Sequence, residues 1–298
     1  MMTAQPATRG QGPYRRISTR FAPSPTGPLH LGHAWSAICA HDRAARDGGA
    51  FLVRIEDIDK TRSRVAFVAA ILDELRWLGL EWAEPIVFQS ARVALYDAAL
   101  ARLHENGWLY PCFCTRADIA AAGSAPHGPG GAIYPGTCRA LSPDERAARM
   151  TSPHAWRIDV VRAAAAAGRL DWVDEIAGDQ RADPVANGDV VLARKDASAS
   201  YHLAVTVDDA DQGISHVVRG RDLFAATGVQ VLLQALLGLP TPTYRHHALM
   251  VDARGERLAK RAGAPALADL RRAFPDGRIL ADRLRRGELP IGFGLVSD

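Results

Sequence analysis

The sequence has 298 residues, of which 48% are hydrophobic and 23% charged, with a formal net charge of +3 at pH 7. This composition is that of a globular protein with an ample core, and it excludes a disordered or fibrous chain. Four cysteines are too few for a disulfide scaffold, no apolar run reaches membrane-spanning length, and the polar residues 1–16 lack the apolar segment of a signal peptide. We therefore expect a cytoplasmic protein without a membrane partner, carrying a flexible extension over 1–16.

Strands and helices alternate in the first third of the chain. The predicted elements are strands over 17–22 and 50–55 and helices over 33–47, 63–78 and 90–107. Ser90 is expected to cap the last of these helices, which ends at Gly107. Such alternation predicts the first half of a parallel α/β sheet over 17–110.

The composition changes at Pro111. Residues 111–188 are polar and hold three of the four cysteines, which indicates an insertion. Alternation resumes over 189–243 as the second half of the sheet. Its predicted elements are strands at 190–194, 203–207 and 214–218, and a helix from about 222 to 237. Residues 244–298 are rich in arginine and predicted to be partly helical.

The run Ser-Pro-Thr-Gly-Pro-Leu-His-Leu-Gly-His at 24–33 joins the first strand to the first helix. His30 and His33 share one helix face, so both imidazoles can point at one ligand. Gly32 lets a flat ring approach the backbone, and the helix N-terminus offers N–H groups to a phosphate. These residues predict a nucleotide site. The alternative is that the two histidines only cap the helix.

Charged residues cluster at the carboxyl ends of the predicted strands, where open α/β sheets bind ligands. Glu56 follows the second strand and shares a face with Arg54; it can hold an ammonium group or help to organise a metal, or simply be a polar strand exit. Arg20 lies in a buried strand and needs an acidic partner, either Glu56 or an acidic substrate. Arg219 ends another strand, and two converging guanidiniums would suit a dicarboxylate. Tyr201, expected to start a strand, can donate to the same pocket. Internal salt bridges and a core tyrosine are the alternatives.

Lys260 lies in the basic run 257–261, after an Asp-Ala-Arg-Gly turn. A loop of this kind can close on a triphosphate and neutralise the charge that develops during transfer. Lysine occurs at only three positions in the chain, which favours this interpretation over a solvated surface loop.

Cys112, Cys114 and Cys138 are clustered as zinc ligands are. A structural zinc takes four ligands, and the residues alone leave the fourth one open, with His127 favoured by its chemistry. Three unrelated buried cysteines are the alternative. Cys39 falls on an apolar helix face and is expected in the core.

Five segments, in order, resemble the class I aminoacyl-tRNA synthetases of the glutamyl type. The segments are RFAPSPTGPLHLGH at 20–33, RIEDID at 54–59, YHLAVTVDDA at 201–210, VRGRD at 218–222 and RLAKR at 257–261. They cover most of 17–262. The resemblance implies a Rossmann-like parallel sheet split by a zinc-containing insertion, with a small C-terminal helical part and with ATP bound together with magnesium.

Only 37 residues follow Arg261, too few for the anticodon-binding part of the full-length glutamyl enzymes. The chain is similar to a shortened branch of the family. That branch activates glutamate with ATP in the absence of tRNA, then transfers it to queuosine in the anticodon loop of tRNA(Asp). The alternatives are a shortened enzyme that charges the 3′ end of tRNA(Glu), a non-catalytic paralogue, and another HxGH nucleotidyltransferase with a different acid substrate. We expect a monomer.

The resemblance also implies roles for individual residues. Glutamate would be bound by Arg20, Phe21, Ala22, Pro23, Ser24, Glu56, Tyr201 and Arg219, with the arginines facing carboxylate and Glu56 facing the α-ammonium. ATP would be bound by His30, Gly32, His33 and Lys260; His30, His33 and Lys260 would be catalytic, the histidines at the α-phosphate and the lysine at the departing pyrophosphate.

One structural zinc would be held by Cys112, Cys114, Tyr134 and Cys138, so the resemblance places Tyr134 where chemistry alone favours His127. The basic run departs from the family pattern at two positions. Arg257 and Ala259 stand where lysine and serine are common, so a hydroxyl is absent from this loop.

Overall fold

The computed structural model describes residues 16–121, 127–128, 131–256, 258 and 266–296. The strands are β1 Ser18–Phe21, β2 Ala50–Ile55, β3 Ala83–Phe88, β4 Leu109–Cys112, β5 His127–Gly128, β6 Gly131–Ala132, β7 Ala155–Ile158, β8 Asp171–Asp174, β9 Gly178–Arg181, β10 Val191–Ala193, β11 His216–Gly220, β12 Thr243–His247, β13 Leu249–Asp252 and β14 Phe293–Val296. The helices are α1 Leu31–Arg46, α2 Val65–Trp77, α3 Val93–Glu105, α4 Arg116–Ala121, α5 Pro143–Arg149, α6 Val160–Ala167, α7 Tyr201–Asp211, α8 Thr227–Leu237, α9 Leu267–Leu270 and α10 Gly277–Arg285. None of these described helices has the length and apolar character needed to cross a membrane.

The expected split parallel sheet is confirmed. Strands β1, β2 and β3 pair in parallel, and so do β11, β12 and β8. Strand β1 is joined to the start of β11 by hydrogen bonds between Ser18 and Ser215, the residue before β11, including Ser215 N–H to Ser18 C=O at 3.1 Å. The two halves of the sheet are thus brought side by side although about two hundred residues separate them in the sequence.

The 111–188 stretch does more than interrupt the sheet. Its strand β8 pairs with β12 through Asp174 and Tyr244 and so extends the second half of the sheet. Its strand β7 pairs antiparallel with β4 and with β10. Strand β10, predicted as part of the resumed parallel alternation, therefore lies in a separate antiparallel sheet. Strand β12 runs across the expected boundary between 243 and 244.

Helix α1 fixes the turn that follows β1 against the core. Its residues Leu31, Ala34 and Ile38 are almost fully buried and pack with Val53 of β2 and Leu75 of α2. Burial of each large aliphatic side chain contributes about 1.5–3 kcal/mol relative to exposure. The loop between β1 and α1 is consequently held at both ends by well-packed elements.

The prediction of a strand over 203–207 is wrong, because these residues lie in helix α7. The helix is wedged between α3 and α8, and Leu203, Ala204, Val205 and Thr206 are all buried. A helix that is buried on most sides shows an uninterrupted apolar run, which periodicity cannot distinguish from a buried strand. Tyr201 is therefore the first residue of a helix and does not begin a strand.

The predicted cap of the third helix is also wrong. Helix α3 begins at Val93 with Arg92 at its N-cap position, and Ser90 lies in a 3-10 turn before it. The Ser90 N–H and hydroxyl donate instead to the two carboxylate oxygens of Asp57, at 2.8 and 2.7 Å. Helix α8 likewise begins at Thr227, later than predicted, and ends as expected at Gly238 in the left-handed region.

Candidate functional site

A cavity of about 520 Å³ opens at the carboxyl ends of β1, β2 and β11. It is lined by all of the predicted glutamate and ATP residues that the structure describes: Arg20, Phe21, Ala22, Pro23, Ser24, His30, Gly32, His33, Glu56, Tyr201 and Arg219. Lys260, together with Arg257 and Ala259, lies outside the described residues. The nearby Leu258 lines the cavity, and Ala266 pairs with the backbone of His30.

The two histidines both cap the helix and face the cavity. His30 is the N-cap of α1, and its Nδ1 accepts the Gly32 N–H at 3.1 Å, while Nδ1 of His33 accepts the His30 N–H at 3.1 Å. The ring centroids lie 3.7 Å apart. The helix cap, one of the two alternatives that the sequence left open, is therefore present, and it does not keep the histidines out of the cavity wall.

Gly32 is needed by this cap. A Cβ at this position would lie 3.1 Å from Cε1 and 3.2 Å from Nδ1 of the His30 ring, closer than a side chain normally packs. The absence of a side chain at position 32 therefore leaves space for the His30 ring, whether or not a nucleotide approaches the same face.

Arg20 has an internal acidic partner that the sequence analysis did not identify. Its Nε and Nη2 donate to the two carboxylate oxygens of Asp209 at 2.9 and 3.2 Å, and its Nη1 donates to the Val218 C=O at 3.3 Å. Arg54, which is fully buried, donates to the same Asp209 at 2.8 Å. Against the effect of burial, these arginines hold the pKa of Asp209 below its ordinary value. Three of the five N–H groups of Arg20 thus have acceptors, which leaves donors for a ligand.

Glu56 faces this cluster of charges from the end of β2. Its nearest cation is Arg54, with 3.6 Å between Nη2 and the carboxylate, and only 11% of the Glu56 side chain is exposed. Burial raises the pKa of Glu56 to about 7, although Arg54 and Arg20 oppose the shift. Tyr201 lies in the same field: burial and Glu56 raise the pKa of its hydroxyl against Arg219 and Arg20.

Arg219 is held from several sides in the opposite wall of the cavity. Its Nε donates to Nε2 of His246 at 3.0 Å, its Nη1 to Gln230 at 2.8 Å, and its Nη2 to Thr227 at 2.7 Å and to the Leu223 C=O at 3.3 Å. The guanidinium carbon lies 5.2 Å from the centroid of the Tyr244 ring. Four of its five N–H groups are thus engaged, and the one that remains, on Nη1, is held in one orientation.

Neither Asp208 nor Asp209 lines the cavity, but Asp208 joins the cluster of charges to helix α3. Asp208 is fully buried and accepts from Gln89 at 2.7 Å, from Arg92 at 2.6 Å and from the Tyr96 hydroxyl at 2.9 Å. In the sequence, Asp208 and Asp209 are adjacent carboxylates at the end of an apolar run. Buried carboxylates require charged or hydrogen-bonding partners, so this pattern was the signal for partners such as these.

Sequence reasoning missed several other residues in the wall: Thr26, Trp35, Ser36, Val218, Gly220, Asp222, Leu223, His247, Leu249, Met250 and Leu258. Ser36 and His247 are hydrogen-bonded to each other at 2.9 Å, and Trp35 donates to the Ala248 C=O at 3.1 Å. They come from α1 and β12, elements far apart in sequence, and no local pattern marks them.

The three clustered cysteines form a second polar site. The Sγ atoms of Cys112, Cys114 and Cys138 all lie within 4.8 Å of one another, with 3.5 Å between Cys114 and Cys138. The Tyr134 hydroxyl lies 3.6 Å from Cys114 Sγ and accepts the Cys138 N–H at 2.8 Å. The guanidinium of Arg157 covers the Tyr134 ring at 3.9 Å. The side chain of His127, the alternative fourth ligand, lies outside the described residues.

This donor set fits a zinc ion. Sulfurs around a tetrahedral zinc with bonds near 2.3 Å lie about 3.8 Å apart, close to the separation seen here. Burial raises the pKa of the Cys114 thiol to about 11, whereas hydrogen bonds from Tyr134 and Phe113 outweigh burial and lower the pKa of Cys138. Three thiols this close can share a cation without moving the backbone, and the tyrosine oxygen stands beside them.

Comparison with known proteins gives one consistent assignment. Residues 16–271 match the family model of class I tRNA synthetases (E and Q), catalytic domain. A protein of Rhodobacter capsulatus named glutamyl-Q tRNA(Asp) synthetase is 50% identical over 262 residues, covering 85% of this chain and 94% of that protein. A protein of the same name from Symbiobacterium thermophilum is 48% identical, covering 85% of this chain and 81% of the relative.

Solved structures agree with this assignment. Glutamate-tRNA synthetase of Elizabethkingia anophelis superposes with a TM-score of 0.70 at 27% identity over 84% of this chain. A glutamate tRNA ligase of Elizabethkingia meningosepticum, in complex with its amino acid, gives a TM-score of 0.69 at 28% identity. This chain spans 53% of the length of each of these two proteins.

Proposed function

This chain belongs to the family of class I tRNA synthetases for glutamate and glutamine, and on that basis we propose that it is a ligase for glutamate and tRNA(Asp). It activates glutamate with ATP, supplied with magnesium, without requiring tRNA. It then transfers the glutamyl group to queuosine in the anticodon loop of tRNA(Asp). The proposal includes a monomeric protein acting in the cytoplasm.

One observation carries the proposal: a single cavity is lined by two buried arginines, one largely buried carboxyl group and the paired histidines of the first helix. Arginine N–H groups bind carboxylates, and the ionised Glu56 carboxylate can bind an ammonium group. The positive end of α1 and its imidazoles favour a phosphate beside them. These are the groups that an acidic amino acid and ATP present together.

In the activation step, a carboxylate oxygen of glutamate attacks the α-phosphorus of ATP. A mixed carboxylic–phosphoric anhydride, glutamyl-adenylate, forms as the bond from the α-phosphorus to the bridging oxygen breaks and pyrophosphate leaves. Arg20 and Arg219 bind carboxylate, Glu56 binds the α-ammonium, and Tyr201 with Phe21 and its neighbours through Ser24 completes the pocket. The protein forms no covalent bond, so its contribution is positioning and charge stabilisation.

His30 and His33 bind ATP beside Gly32 and steady the α-phosphate as negative charge builds on it. Lys260 stabilises the pyrophosphate that departs. Support for this role comes from the described residues on either side: Leu258 lines the cavity and its N–H donates to the Met250 C=O at 3.1 Å, while the Leu267 N–H donates to the Leu29 C=O at 2.9 Å. The described residues Leu258 and Leu267, on either side of Lys260 in the sequence, therefore lie beside the cavity and the turn at 24–33.

In the transfer step, a hydroxyl of queuosine attacks the activated carbonyl carbon of glutamate, so an ester forms and AMP leaves. We also propose one structural zinc bound by Cys112, Cys114, Tyr134 and Cys138. When bound, zinc supplies no chemistry to either step; it ties the chain after β4 to the loop that ends at Cys138.

ATP–pyrophosphate exchange tests the activation step. We expect exchange with glutamate in the absence of any tRNA, and much less with glutamine or aspartate. Lys260→Ala should nearly abolish exchange, whereas Lys195→Ala, which removes an exposed lysine bonded to the Phe113 C=O, should leave it unchanged. Absence of exchange in the unaltered protein would contradict the proposal and favour a non-catalytic paralogue.

Mapping of the esterified nucleotide tests the transfer step. Labelled glutamate is incubated with ATP and tRNA pools prepared with and without queuosine. We expect label only in the queuosine-containing pool, on the anticodon loop of tRNA(Asp). Label at the 3′ end of tRNA(Glu) would identify a shortened tRNA-charging enzyme instead.

A further inference from the structure

His246 lies behind Arg219, outside the cavity wall, and links it to Asp174. The His246 and Asp174 side chains are fully buried, with 2.7 Å between Nδ1 and the Asp174 carboxylate. On the other side of the ring, Nε2 lies 3.0 Å from Nε of Arg219. An aspartate, an imidazole and an arginine therefore follow one another through hydrogen bonds toward the cavity.

The partners determine the tautomer of the imidazole. Arginine Nε always carries a proton, so Nε2 of His246 must accept from Arg219. The proton of a neutral ring then lies on Nδ1 and is donated to Asp174, which is the usual way in which one ring nitrogen fixes the other. Burial and then the neighbouring Arg219 lower the pKa of His246 to about 3, so the ring stays neutral near pH 7.

Asp174 is itself fixed in place. Its Oδ1 accepts the N–H groups of Ile176 and Ala177, both at 2.9 Å, and its Oδ2 also accepts the His246 N–H at 3.1 Å. It is the last residue of β8, which belongs to the 111–188 stretch. The placement of the 111–188 stretch therefore determines where the Asp174 carboxylate meets the His246 ring.

We infer that Asp174 and His246 are positioning residues that orient Arg219 toward the glutamate carboxylate. This inference rests on the proposed function. Asp174 holds the ring and its tautomer, and the ring provides an acceptor that fixes the orientation of the Arg219 guanidinium at the cavity. The 111–188 stretch consequently sets the geometry of the amino-acid pocket although it lines none of that cavity's described wall.

Two substitutions at His246 distinguish the role of its Nε2 as a hydrogen-bond acceptor for Arg219 from a role of the ring in packing alone. The amide oxygen of Gln in His246→Gln can occupy the place of Nε2 and accept from Arg219. Asn in His246→Asn is shorter and keeps only the contact to Asp174. We expect His246→Asn to raise the KM for glutamate about tenfold, the cost of one hydrogen bond to a charged group, and to leave the KM for ATP within about twofold. We expect His246→Gln to stay within about threefold of the unaltered protein.

Asp174→Asn tests the other end of the chain of contacts. An amide N–H facing Nδ1 moves the ring proton to Nε2, where it opposes the Nε–H of Arg219. The KM for glutamate should rise at least about tenfold. Asp171→Asn, on the same strand but paired with Arg169 at the surface, is the matched control and should leave the KM unchanged.

A spectroscopic measurement makes the test independent of activity and of variant folding. Long-range ¹⁵N–¹H correlation spectra of the unaltered protein should show His246 as the Nδ1–H tautomer. An Nε2–H tautomer, an imidazolium near pH 7, or equal KM values for glutamate in His246→Asn and His246→Gln would overturn the inference. Loss of exchange in the unaltered protein, with the Nδ1–H tautomer present, would instead count against the proposed function.

Discussion

The cavity and the cysteine cluster bring polar groups together over very different distances along the chain. The cluster draws its ligand atoms from residues 112–138. The cavity joins Arg20 to Asp209, 189 positions away, and Arg54 to the same carboxylate. At the cavity, the buried Arg20 is paired with a carboxylate from another element and Arg219 is held by uncharged acceptors, whereas the cluster brings three thiols together.

This difference shows what each region needs to be stable. Because Arg20 and Arg219 are held by groups of the protein itself, the fold determines the shape of the cavity. Thiols that converge gain little from one another and gain most from a cation that binds their deprotonated form. The cavity should thus depend on the fold, and the cluster should depend on a metal. Substitutions at four positions test this contrast, in order of decreasing expected change in free energy.

The largest effect is expected from Asp209→Asn. This change removes the ion-pair partner of the buried Arg20 and the nearest of the three carboxylates around Arg54, and breaking a buried pair costs about 3–5 kcal/mol. The free energy of unfolding, measured by urea denaturation, should fall by that amount. Asp211→Asn, two residues further along α7 with its side chain 50% exposed, should cost less than about 1 kcal/mol. Equal effects of the two changes would show that the cavity does not rely on this pairing.

Cys138→Ser should affect the metal instead. We expect bound zinc, measured by atomic emission, to fall from about one ion per chain to nearly none. At free zinc a hundredfold above its Kd, loss of binding lowers the free energy of unfolding by about 2.7 kcal/mol. Cys39→Ala, in a cysteine packed beside the α1 core, should keep the full metal content. If added zinc changed the free energy of unfolding of neither the unaltered protein nor Cys138→Ser, the distinction between the two regions would be removed.

The pH dependence of glutamate binding tests whether Glu56 binds the ammonium group of glutamate. Because burial raises its pKa to about 7, the carboxyl must lose a proton before it can pair with the ammonium of glutamate. Affinity should therefore rise with pH, by about tenfold or 1.4 kcal/mol between pH 6 and pH 8, and level off above the pKa. Calorimetric titration with glutamate measures this change. Glu56→Gln should bind weakly with no such rise; a persisting rise would assign the titration to another group.

The smallest effect on stability is expected at His30, where the cap and the cavity coincide. His30→Ala removes the cap of α1 and should cost about 1 kcal/mol. His30→Asn retains a good N-cap and should unfold within about 0.5 kcal/mol of the unaltered protein, yet lose most of its ATP–pyrophosphate exchange. Full ATP–pyrophosphate exchange activity in His30→Asn would show that His30 acts only as the N-cap of α1.

Much of the site could be predicted because its motifs are local. The turn at 24–33, the carboxylate after β2 and the cysteine spacing each lie within a few residues of the element that presents them. The partners Asp209 and His246 could not be predicted, since nothing near Arg20 or Arg219 indicates which distant acceptor will face it. Family resemblance supplied the list of pocket residues without supplying what holds them.

The sequence by itself determined the order of most strands and helices, the turn at 24–33 and the grouping of the thiols. These features follow from periodicity, capping and spacing, which act over less than about one helix or one loop. Only the tertiary structure decided that 201–211 is a helix, that Asp209 neutralises two arginines, and that β8 carries Asp174 to His246. Burial and charge pairing depend on what lies across the core, and that is fixed only when the two halves of the sheet meet.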